Sequence, residues 1–112
     1  MGSKAVIEVR ALDDSDPLEF EVSVKEASGQ TQHRVTLSSS DYARLCSGAT
    51  DPRRCVEAAF RFLLDRESKE SILRRFNLTL IAHYFPEFET QLPRYLAAVT
   101  TPVAPGQAAQ KS

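Results

Sequence analysis

The sequence predicts an α+β fold: an N-terminal three-stranded antiparallel meander, then four or five short helices packed on one face. Three observations carry this. Residues 18–26 and 31–38 alternate apolar and polar side chains with a period of two, the mark of strands with one face in a core and one in water. Residues 51–67, DPRRCVEAAFRFLLDRE, repeat apolar side chains at helical spacing. Helix-start signals open at Ser38, Asp51 and Ser68.

The elements follow in order. Ala5 to Arg10 is the first strand, with Ile7 and Val9 alternating with Glu8 and Arg10. Asp13, Asp14, Ser15, Asp16 and Pro17 form a turn. Its aspartates lack the glycine and distal glutamate of a calcium loop, so it reads as a solvated connection. Leu18, Phe20, Val22 and Val24 give the second strand its core face, and His33, Val35 and Leu37 give the third strand its own. Gly29 lies in the turn between them, where a positive φ is wanted. Ser38 with Asp41, or Ser39 or Ser40 alone, caps a helix whose inward side is Tyr42, Leu45 and Cys46, with Gly48 ending it.

The helix over 51–67 is the centre of the chain. Val56, Ala59, Phe60, Leu63 and Leu64 form one stripe, and Cys55, Ala58 and Phe62 widen it past half the circumference. A helix with so broad an apolar arc touches neighbours on two sides. Asp51 or Thr50 caps it and Pro52 suits the first position. Ser68 starts a further helix to Phe76 with Ile72, Leu73 and Phe76 inward. Leu78 to Phe85 is a short apolar helix ended by Pro86. Phe88, Leu92, Tyr95 and Leu96 belong to a last helix broken or started near Pro93. Residues 1–99 make one domain, and 100–112 read as a disordered tail with no large apolar residue beyond Val103.

Composition excludes several functions. Net charge is −1, so no bulk field draws in nucleic acid or an anionic membrane. No apolar run is long enough for a transmembrane helix, and the N-terminus lacks a signal-peptide core. Cys46 and Cys55 fall in helical segments and read as reduced, partly buried thiols in a cytoplasmic protein. Zinc would need Cys46, Cys55, His33 and His83, which lack paired ligand spacing. Cys55 or His83 in a small enzyme is an alternative with no activating motif behind it. No phosphate loop, cofactor motif or internal repeat is present. The expectation is therefore no cofactor, no metal and no catalytic residue.

What remains points to an interaction surface. Arg61, Arg66, Lys69, Arg74 and Arg75 form a basic cluster, but Asp65, Glu67 and Glu70 interleave with it. That interleaving cancels the field phosphate binding requires, which leaves nucleic-acid binding as the runner-up. His83, Tyr84, Phe85 and Phe88 crowd rings around Pro86, and aromatic anchors dominate partner surfaces. The expected function is a non-enzymatic module binding an unidentified protein through Arg66, Lys69, Glu70, Arg74, Arg75, Tyr84 and Phe88. The sequence does not fix an oligomeric state.

The segment Arg61 to Glu89, RFLLDRESKESILRRFNLTLIAHYFPEFE, resembles a signature of small uncharacterised bacterial proteins. In these, an F-L-L-x-R-E-x-K-E-S-I-L run is followed by Y-F-P-E. The likeness covers about a quarter of the chain clearly. It implies a compact cytoplasmic bacterial protein, with Glu67, Lys69, Glu70, Ser71, Tyr84 and Pro86 at matching positions. It implies no activity and no catalytic residue.

Overall fold

A computed structural model describes residues 5–13, 15–46 and 51–100. The meander is present: β1 (Val6–Asp13), β2 (Leu18–Glu26) and β3 (Gly29–Leu37) pair antiparallel in sequence order. The β2–β3 register runs from Leu18 opposite Leu37 to Glu26 opposite Gly29, and Gly29 takes φ +145°, a region that residues with a Cβ rarely enter. Phe20, Val22 and Val24 face the core beside His33, Val35 and Leu37, as the alternation requires. The opposite face is polar and carries cross-strand ion pairs, Lys25–Glu8 at 3.5 Å, Arg34–Glu19 at 3.0 Å, and Arg10–Glu21.

Among the described residues the sheet has four strands, not the three expected. After α1 (Ser39–Cys46) and α2 (Pro52–Leu64), a single 3₁₀ turn at Lys69–Ser71 leads into β4 (Arg75–Asn77), which lies parallel to β3. The helix expected over 68–76 is therefore a turn and a short strand. The reason is tertiary. Arg34 N–H donates to Arg74 O at 2.6 Å and Leu78 N–H donates to Thr36 O at 2.9 Å, so the backbone bonds run to β3 rather than along a helix. Leu73, expected inward, is exposed.

The helical part continues with α3 (Leu80–Tyr84) and α4 (Phe88–Thr100). α4 runs through Pro93 instead of breaking there. Glu89 and Pro93 are both exposed, so the carbonyl that loses its donor lies on the wet side of the helix. The tail expected from residue 100 onward falls, beyond Thr100, outside the described residues.

The helix starts at Ser38 and Asp51 are as the sequence predicts, whereas Ser68 makes no side-chain cap bond and opens only the 3₁₀ turn. Ser38 Oγ accepts from Asp41 N–H at 3.1 Å, and Asp51 accepts from Arg53 N–H at 2.9 Å with Pro52 behind it. α2 is enclosed on two sides. Phe60 meets His33 and Phe76 on the sheet side, with ring centroids 5.3 and 6.0 Å apart. Phe62 meets Phe85, Phe88 and Tyr95 on the helical side at 5.9, 5.1 and 5.7 Å.

The cysteines are not free thiols. Cys46 and Cys55 form a disulfide with Cα atoms 6.3 Å apart, tying the end of α1 to the first turn of α2. Both are buried. Spacing along the chain could not show this. Docking of the two helices holds the pair within bonding reach.

Candidate functional site

The end of α2, the turn after it, β4 and α3 enclose a groove of about 440 Å³. Its walls are Leu63, Ile72, Phe76, Leu80, Ile81 and Phe85, with Leu73 and Tyr84 on the rim. Tyr84 is 66% exposed and Leu73 47%. These are large apolar surfaces left in water beside an apolar cleft, the arrangement typical of binding sites.

Two features hold the rim in place. His33 is buried, with Nδ1 2.8 Å from Leu73 O and Nε2 2.9 Å from Thr31 Oγ1. The Leu73 carbonyl can only accept, so Nδ1 carries the proton and Nε2 accepts from the threonine hydroxyl. Burial is the main cause holding this ring below its ordinary pKa, while the Leu73 bond opposes it. With its carbonyl pinned inward, the Leu73 side chain turns outward.

Lys69 is the second anchor, and here the structure corrects the sequence reading. Lys69 was expected on the interaction surface, yet it is 2% exposed. Its Nζ reaches Glu70 Oε2 at 2.7 Å, Glu26 Oε1 at 3.0 Å and Ser28 Oγ at 3.0 Å. Glu70 first and Glu26 second hold the ammonium above its ordinary pKa. The lysine fastens the 3₁₀ turn to the β2–β3 turn and is not available to a partner. Two of its partners, Glu26 and Ser28, lie about forty residues upstream, a distance local patterning does not cover.

Phe88 is likewise removed from the expected surface. It is fully buried against Phe62. Arg66 is half-buried, its guanidinium 3.8 Å above the Phe62 ring and its Nε 3.0 Å from Glu87 Oε2. Glu70 is exposed but bound to Lys69. Of the seven expected residues, Arg74, Arg75 and Tyr84 remain open at the surface, and Tyr84 lines the groove.

Sequence reasoning missed the role of Glu67. It lines the groove, half-buried among apolar walls. Among the described residues its carboxylate has neither a hydrogen bond nor an ion pair. Burial raises its pKa above the ordinary carboxylate range. The available signal was a carboxylate just after the longest apolar arc, but without β4 nothing indicated that a cleft would form over it. Ser71 supplies a second polar group, its hydroxyl 3.1 Å from Ser68 Oγ.

The disulfide excludes Cys46 and Cys55 as thiolate nucleophiles in this state. Among the described residues no helix is long and apolar enough to cross a membrane. Comparisons of the chain with protein-family models, curated proteins and solved structures find no match.

Proposed function

We propose that this chain is a protein-interaction module whose groove receives an amphipathic segment of a partner protein. Glu67 carries the reading: an unpaired carboxylate desolvated inside an apolar cleft. A partly desolvated charge without a counter-charge among the described residues disfavours the fold, and a partner's lysine or arginine would relieve it. The segment that fits has one or two apolar anchors against Leu73 and Tyr84, a cation facing Glu67, and a carboxylate within reach of Arg74 or Arg75. Nucleic acid fits less well, because Arg66 and Lys69 are engaged within the fold and the cleft itself is acidic.

The groove's volume also lies in the range of small-molecule sites, which supports a second reading: an organic cation with an apolar body. Cytoplasmic residence and bacterial origin stand as expectations from the sequence. Cytoplasmic residence now requires the Cys46–Cys55 bridge to persist among thiol reductants, and the burial of both cysteines favours that.

Capture from the native host tests the function. Tyr84→Ala and Arg74→Ala alter exposed side chains and should leave the fold intact while abolishing recovery of a protein partner. Recovery of the same partners at wild-type levels by both variants would overturn the reading. Loss of a bound small cation, with protein partners unchanged, would favour the second.

A further inference from the structure

β1 is an edge strand: among the described residues the sheet order is β1-β2-β3-β4, and only β2 lies beside it. Alternate backbone N–H and C=O groups of β1 therefore point away from the sheet. Edge strands are commonly protected by charges that repel an incoming copy. The charges here have the opposite property. Glu8 and Arg10 flank Val9 symmetrically, and on the same face Val6 lies 52% exposed.

An antiparallel pairing of β1 with itself about Val9 puts Glu8 opposite Arg10 and Ile7 opposite Ala11, within the part of β1 whose register is regular. Directly opposed residues point to the same side of a sheet, so charge meets counter-charge and apolar meets apolar. The β1–β2 register is regular from Val6 to Ala11, and its shift falls only between Ala11 and Asp13. Glu8 already pairs with Lys25 and Arg10 with Glu21, so alternating charge would continue across the junction. On the core side, an open space of about 290 Å³ lies beside Val9, edged by Asp51, Arg53, Arg54 and Glu57. Ala11, on the same face of β1 as Val9, is exposed. α2 therefore leaves room for the second strand's inward side chains.

We propose that β1 pairs with β1 of a second copy of this chain, antiparallel about a two-fold axis through Val9. The two four-stranded sheets become one continuous sheet. The interface is isologous, lies on a different surface from the groove, and is independent of what the groove binds.

Sedimentation of the full chain over a concentration series reaching about 1 mM tests this. The expected species has twice the 12.5 kDa chain mass. Arg10→Glu sets like charges opposite each other at both symmetric positions and should weaken the dimer about tenfold. Exchanging both charges, Glu8→Arg with Arg10→Glu, restores opposite signs across the axis and should recover wild-type association, although it breaks the pairs with Lys25 and Glu21 inside each chain. Circular dichroism checks that each variant is folded. A wild-type chain that stays monomeric throughout would overturn the proposal. So would a folded Arg10→Glu variant that associates as tightly as wild type, or a folded double exchange that fails to recover.

Discussion

Phe62 anchors α2 to the helical half of the core, and replacing it with alanine should be among the most damaging single changes in this chain. The ring is fully buried and meets three aromatic rings edge-on within 6 Å, with the Arg66 guanidinium over its face. Truncating a buried phenylalanine costs about 3–5 kcal/mol through lost transfer energy and the cavity left behind. A domain of this size has a stability on the order of 5–15 kcal/mol, so the variant loses a large share of it. Urea unfolding followed by circular dichroism measures the effect. With a slope of about 1.5 kcal/mol per molar urea, the midpoint should fall by about 2–3 M at unchanged slope. Phe62→Leu refills most of the space and should cost less than about 1.5 kcal/mol. Tyr84→Ala, at an exposed ring, should stay within about 0.5 kcal/mol of wild type. A Phe62→Ala variant that loses less than about 1 kcal/mol would refute the packing of α2 against α3 and α4.

Two further predictions follow from single contacts. Replacing Cys46 and Cys55 together with alanine frees a loop of about ten residues, and the chain-entropy account puts the loss at about 2.7 kcal/mol at 25 °C; thiol titration of the unreduced, denatured wild-type chain should find no free thiol, and two would contradict the bridge. His33 is neutral in the fold with its pKa lowered from 6.5, so the unfolded chain takes up the proton first as pH falls. The stability tied to His33 is thus whole above about pH 6.5 and declines below it. An NMR titration of the ring should give a midpoint under 6.5, and one at or above that value would contradict its burial.

The N-terminal half and α2 were legible because their signals are local. β2 alternates from Leu18 to Lys25 and β3 from His33 to Leu37, and Asp51-Pro52 marks a helix start by chemistry alone. β4 was not legible. Three residues are too few to show a period, and the strand exists because β3, some forty residues earlier, offers it an edge. Lys69 fails for the same reason. A lysine is expected in water, and its burial becomes tolerable only where Glu26, Ser28 and Glu70 converge on it. Phe88 and Tyr84 are neighbours in the sequence with identical apparent value as anchors. α4 turns one onto Phe62 and α3 leaves the other on the rim. The groove inherits these failures, since its floor is built by β4 and its one unpaired charge comes from a position that read as an ordinary helix end.

The groove account is tested most directly by Glu67→Gln, with urea unfolding and partner recovery read on the same preparation. A carboxylate whose pKa is raised by burial burdens the fold at neutral pH, and that burden fades as the group is protonated. Removing the charge should therefore raise the unfolding midpoint at pH 7, narrow the difference from wild type near pH 4, and reduce partner recovery. A variant that is less stable than wild type and still recovers its partner fully would contradict the assignment of this cleft as the binding site.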